Sequence, residues 1–134
     1  MVLKEFMFRG KTLPELKKLD IKEFAQLVPS RQRRSLLRGA LDKNKPLIQK
    51  IRKANAGTFK KNIKTHARDM VVIPEMVGLT LHIYNGKEFK AIKIEEDMLG
   101  SFFGELSLTR SKVQHSAPGI GATKSSTAIA SKAK

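Results

Sequence analysis

Apolar residues recur at helical spacing through the first half of the chain and change their period near Met70. Thr12-x-x-Glu15 precedes Leu16 and Leu19, and Asp20-x-x-Glu23 precedes Phe24, Leu27 and Val28. Each is a capping box, which joins a side-chain oxygen to an orphan amide and a carboxylate to the cap amide, and so opens a short helix. Pro29 stops the second of them. Ser30 caps a third helix over 31–39 with Leu36 and Leu37 inward, and Gly39 is its stop. Asn44 caps a fourth, with Pro46 tolerated in its first turn and Leu47, Ile48 and Ile51 inward. Residues 54–64 read as loop.

Met70 to Ile73 form a short apolar run ended by Pro74, the pattern of a buried strand. Leu79, Leu81 and Ile83 alternate with Thr80, His82 and Tyr84, a half-buried strand. Asn85-Gly86 signals a hairpin turn. The returning strand carries Phe89, Ala91, Ile92 and Ile94, whose parity switches between Ala91 and Ile92. That switch predicts a bulge or a three-residue loop. Met98, Leu99, Phe102 and Phe103 predict a short helix within 95–105 that closes the core. Residues 116–134 consist largely of Ser, Ala, Gly, Thr and Lys without Asp or Glu, and are expected to be disordered when free. The expected fold class is therefore α+β: a small sheet with a β-hairpin packed with short helices, basic N-terminal helices and a disordered basic C-terminal tail. The expected units are a basic helical region over 1–60, an α+β core over 61–115 and a flexible tail over 116–134.

Charge changes this picture most. The chain has 134 residues and a formal net charge of +15, which points to a polyanionic partner. Residues 31–70 carry +11 and residues 110–134 carry +5, whereas residues 71–109 carry −3. The acidic stretch is the expected home of most of the core, and the basic stretches are its arms. There is no cysteine, hence no disulfide framework, zinc ribbon or thiol nucleophile. No apolar run reaches the roughly 20 residues of a membrane helix, and Met1 to Gly10 lack a signal-peptide core. A soluble intracellular protein without a membrane partner is expected.

The remaining chemistry is sparse. His66, His82 and His115 stand without an HExxH motif, so no metal site is expected. His66, in a basic segment, suits stacking or a phosphate contact. Glu95-Glu96-Asp97 is a favourable acidic start to the helix that follows. Gly119 to Ser125 departs from a phosphate-binding loop in its glycine spacing and lacks a preceding strand. No nucleophile–base pair, cofactor or small-molecule substrate can be proposed. Arg31, Arg33, Arg34 and Arg38 are the strongest signal, since Arg31, Arg34 and Arg38 share one helix face as planar forks suited to phosphate. From the residues alone this is a basic α+β nucleic-acid-binding protein and not an enzyme. An RNA-processing factor or an architectural nucleic-acid-binding protein is the alternative.

Several ordered motifs add a resemblance. They are Ile63-Lys64-Thr65 to Arg68, Ile73-Pro74-Glu75-Met76-Val77-Gly78, Tyr84-Asn85-Gly86-Lys87, Asp97-Met98-x-Gly100 and Gly104-Glu105. Aliphatic residues at Ile94 and Leu99, Phe103 and the hydroxyl of Thr109 complete the pattern, and Leu106 stands where Phe is usual. Together they resemble the universal small-subunit ribosomal protein S-nineteen family. Ser30-Arg31-Gln32-Arg33-Arg34, Lys64-Thr65-His66-x-Arg68-Asp69-Met70 and the tail from Pro118 to Ser126 resemble its archaeal–eukaryotic branch. The resemblance implies a place in the head of the small subunit, bound to rRNA. It implies small-subunit protein S-thirteen as a neighbour, with an intersubunit bridge to the large subunit and the aminoacyl-tRNA site close by. Lys64, Thr65, His66 and Arg68 become an extended rRNA-contacting loop; Asn85, Gly86, Lys87, Arg110 and Lys112 become further contacts. The tail, with Pro118, Gly119, Gly121, Thr123 and Lys124, would reach toward the decoding region, where it could touch tRNA.

Overall fold

The computed structural model describes residues 6–113. The tail and every expectation placed on 114–134, including Pro118, Gly119, Gly121, Thr123 and Lys124, lie outside the described residues. The chain opens on a small hairpin that the hydrophobic pattern did not announce. Strands β1 (Met7–Phe8) and β2 (Lys11–Thr12) pair antiparallel across Arg9-Gly10. Both turn residues are left-handed, with φ of 52° and 78°, the conformation that a two-residue hairpin loop demands.

Helix α1 (Leu13–Lys18) starts as expected, with the Glu15 carboxylate accepting from the Thr12 amide at 2.8 Å. Helix α2 (Ile21–Leu27) also starts on its expected residue, but the Asp20 side chain makes no cap bond. Helix α3 (Ser30–Leu37) begins at Ser30 itself, with Pro29 rather than Ser30 in the cap position, and ends two residues before Gly39, whose φ of 86° turns the chain away. An additional turn, α4 (Ala40–Lys43), follows, so Asn44 is not free to cap α5 (Lys45–Asn55). Its amide instead donates back to the Ala40 carbonyl at 3.0 Å.

Strand β3 (Ile63–Thr65) runs parallel to β4 (Thr80–Tyr84), and β4 pairs antiparallel with β5 (Phe89–Lys93). The β3–β4 connection contains the buried segment Met70 to Ile73 and a 3-10 turn, Pro74–Met76. The expected strand over Met70 to Ile73 is corrected here. The segment is extended and buried and exchanges three backbone hydrogen bonds with residues 100–103, but around the single antiparallel bridge Val71 to Phe102 rather than along a strand ladder. The expected bulge is also corrected. Five successive pairs from Thr80–Lys93 to Tyr84–Phe89 form an unbroken ladder, and a four-residue loop, 85–88, joins the strands. The single helix expected over 95–105 is two separate turns, a 3-10 turn Glu96–Met98 and α6 (Phe103–Leu106).

The N-terminal helices share one core with the sheet, and α5 packs on it directly. Leu16, Phe24, Leu47, Ile48 and Ile51 join Ile63, Leu81, Ile83, Ile94 and Phe103 in one buried cluster. Ten of the nineteen buried apolar residues precede position 71, so residues 71–109 supply about half of the core rather than most of it. Helix α5, with Ile51 fully buried, packs against β3 and the Pro74–Met76 turn. This arrangement leaves the opposite face of the sheet to solvent.

Candidate nucleic-acid interface

The expected basic residues separate into those that face outward and those that hold the fold. Arg31 and Ser35 on α3 and Arg38 at its C-terminal cap line an open cleft of about 490 Å³ with Lys43, Asp69 and Phe102. Spacings of four and three place these α3 residues in one stripe. Arg34 is exposed but lies off the cleft. Lys43, which the sequence did not single out, donates to the Asp69 carboxylate at 2.9 Å. That hydrogen bond holds the Asp69 carboxyl below its usual range. Arg33 points the other way. Its guanidinium donates to the carbonyls of Ala25, Gln26 and Val28 at 3.1, 3.1 and 3.3 Å. It thereby satisfies the orphan carbonyls at the end of α2 and fixes α3 against that helix.

Lys64, Thr65, His66 and Arg68 do not form one extended loop, because Ile63–Thr65 is a strand. Strand alternation then separates their roles. Thr65 is buried on the core side, and its hydroxyl accepts from the Ala67 amide at 3.0 Å. Lys64 and His66 are exposed on the outer side. Arg68 turns inward and donates to the carbonyls of Tyr84, Gly104 and Ser107 at 2.6, 3.0 and 2.6 Å. One planar fork thus ties the end of β4 to α6, a task that suits arginine's several fixed donors. Ser107, fully buried, adds its hydroxyl bond to the Ile83 carbonyl.

At the hairpin tip, the Asn85 side chain accepts from the amides of Lys87 and Glu88, both at 2.9 Å. Gly86 has φ of 103° there, a conformation that glycine adopts without steric cost. The loop leaves Lys87 exposed and borders a second open cleft, of about 690 Å³, with Lys90, Glu88, Thr109 and Arg110. Lys112 is exposed beyond the last helix. Three groups of outward cations therefore stand out, at the α3–α4 cleft, on the sheet face and around the hairpin tip. Among the described residues, no group of three or more His, Asp or Glu is placed to hold a metal ion, and no helix is long and apolar enough to cross a membrane.

A model of the family described as Ribosomal protein S19 matches residues 34–115. The chain belongs to the ribosomal protein S19 family. The small ribosomal subunit protein uS19 of Methanococcus maripaludis strain C7 and that of strain C5 are each 52% identical to it over 126 residues. Each alignment covers 91% of this chain and 78% of the relative. These archaeal relatives agree with the branch that the motifs at 30–34 and 64–70 resemble. Members of the S19 family are structural ribosomal proteins rather than enzymes.

Much of what makes this S19 chain resemble its family is packing geometry. Gly100 has φ of 79°, and a Cβ there would stand 3.1 Å from the Val28 side chain. A Cβ on Gly104 would stand 3.3 Å from the Arg68 carbonyl, and Glu105 accepts from the Phe102 amide at 3.2 Å. One residue of the outer surface escaped the sequence reading, Phe89, which pairs with Tyr84 there. The signal was present in the parity break after Ala91: Phe89 and Ala91 share the outer face, and Ile92 and Ile94 turn inward.

Proposed function

We propose that this chain is a structural constituent of the small ribosomal subunit, binds small-subunit rRNA and supports assembly of the subunit head in the cytoplasmic ribosome. The observation that carries this reading is the placement of the most basic stretch. Within 31–70, Arg31, Arg38, Lys43 and Lys64 face outward, while the guanidinium groups of exposed Arg33 and half-buried Arg68 are engaged by backbone carbonyls of the fold. Phosphate contacts from such cations give affinity without sequence readout. Specificity then comes from the shape and unpaired bases of folded RNA. The family resemblance supports the finer placement: S-thirteen as neighbour, an intersubunit bridge and the aminoacyl-tRNA site nearby, and the tail from Pro118 directed toward the decoding region.

The test is sedimentation of native lysate through a density gradient, before and after a high-salt wash. Travel with the small subunit at about one copy each, retained through the wash, is the expected result. A chain that stays at the top of the gradient overturns the reading.

A further inference from the structure

We infer that the outer face of the three-stranded sheet is a stacking platform for unpaired nucleobases of RNA, built by His66, Tyr84 and Phe89 with Lys64. This rests on the rRNA-binding reading above and names the part of the RNA that this face would take.

The register settles which side chains share the face. Lys64 lies opposite His82, His82 opposite Ala91, and Tyr84 opposite Phe89. Buried Ile63, Thr65, Leu81 and Ile83 occupy the other side. Three rings meet at the open end. The centroid of His66 lies 4.5 Å from that of Tyr84 and 5.0 Å from that of Phe89, and the Tyr84 and Phe89 rings are 5.2 Å apart. Lys64 Nζ stands 5.4 Å from the Phe89 centroid. The Tyr84 ring is held in place: its hydroxyl donates to the Gly86 carbonyl at 2.8 Å, and Arg68 holds the Tyr84 carbonyl. With Tyr84 fixed and the other two rings packed against it, little freedom is lost when a ligand stacks on them.

Charge identifies the occupant. Residues 71–109 are the acidic part of the chain, yet the strand residues on this face contribute Lys64 and Lys93 and no carboxylate. The acids of that stretch lie elsewhere. Glu75 pairs with Arg52, Glu88 lies in the hairpin loop, Glu95 follows the end of β5 that is far from the rings, Glu96 and Asp97 form a 3-10 turn, and Glu105 caps α6. Rings and cations on strands that carry no acid suit a group that is flat, π-rich and attached to phosphate. Bases inside a duplex cannot reach it, since their faces are already stacked; bases splayed from a loop or bulge can.

The experiment uses the full chain and two probes, a short single-stranded RNA carrying 2-aminopurine and a blunt RNA duplex of equal length. On the single strand we expect 2-aminopurine fluorescence to change on binding. Phe89→Leu, which keeps apolar bulk but removes the ring, and His66→Ala, at an exposed position, should each weaken single-strand binding by about 5- to 150-fold, the size of one base–aromatic stack. Duplex binding should stay unchanged, and a thermal melt of each variant separates lost stacking from lost folding. Equal losses on both probes, or no loss in either variant, would overturn the platform and leave the rings as internal packing of the hairpin. A wild-type chain that binds neither RNA would remove the rRNA-binding reading itself, and the platform with it.

Discussion

The α3–α4 cleft and the outer face of the sheet are both basic, and they differ in what they ask of a partner. The cleft gathers Arg31, Arg38 and Lys43 beside one carboxylate, Asp69. Its attraction is Coulombic, acts at a distance and is indifferent to sequence. The sheet face sets three rings beside Lys64, and its attraction needs contact with an exposed base. An RNA-binding surface can therefore divide capture and discrimination between regions. Beside each region an arginine is bound to backbone carbonyls: Arg33, itself exposed, fixes α3, and half-buried Arg68 fixes the end of β4.

The sharpest way to break this comparison is Arg68→Ala. The substitution removes donors from the carbonyls of Tyr84, Gly104 and Ser107, around the fully buried Ser107. Bonds from a charged donor contribute about 1.5–3 kcal/mol each and do not add fully, so a loss of about 3–5 kcal/mol is expected in chemical denaturation. Arg68→Lys should rescue little, because one ammonium cannot reproduce the planar fork. A loss below about 1 kcal/mol would mean that these bonds exchange for water at little cost.

Arg38→Ala tests the other region. Its side chain lines the cleft and makes no protein hydrogen bond among those described. Folding stability should stay within about 0.5 kcal/mol of wild type. Binding to RNA should weaken, and the slope of log affinity against log salt should fall by about 0.7–0.9 for one lost phosphate contact. An unchanged slope would place Arg38 outside the interface and leave capture to other cations.

The same contrast explains what the sequence made legible. Helices α1, α2 and α5 could be read because their apolar residues recur with the helical period and Gly39 breaks the chain where α3 ends. The first hairpin was hidden, since Arg9-Gly10 lacks the Asn or Asp that usually announces its turn. Met70 to Ile73 looked like a strand because composition reports burial, whereas pairing depends on a segment some thirty residues downstream. The cleft was half legible: charge density marked α3, but Lys43 and Asp69 join it only through the turn after Gly39. The platform was least legible. Large apolar residues are assigned inward by default, so Phe89 read as core, and its parity break read as a bulge. Nor can charge counting tell Arg33 from Arg34, because the difference lies in which carbonyls the fold brings near.

The smallest expected effect separates the cleft's stability from its binding. The Asp69 carboxyl is held below its usual range by the Lys43 hydrogen bond, yet both side chains are more than half exposed. Solvent screening limits such a pair to about 1 kcal/mol or less. Because the folded value is depressed, that contribution is complete above the unfolded carboxylate pKa of about 4 and is lost as pH falls through the lower folded value. Asp69→Asn should therefore cost little stability at neutral pH, with the difference from wild type vanishing in acid. Toward RNA the sign reverses. The carboxylate stands among Arg31, Arg38 and Lys43 and repels an incoming phosphate, so its neutralisation frees Lys43 and should tighten RNA binding about 2- to 5-fold at low salt. That gain should shrink as salt rises, since the charges are exposed and screened. Weaker binding by Asp69→Asn would mean instead that the carboxylate serves the cleft by holding Lys43 in position, and that order within the cleft matters more than its net charge.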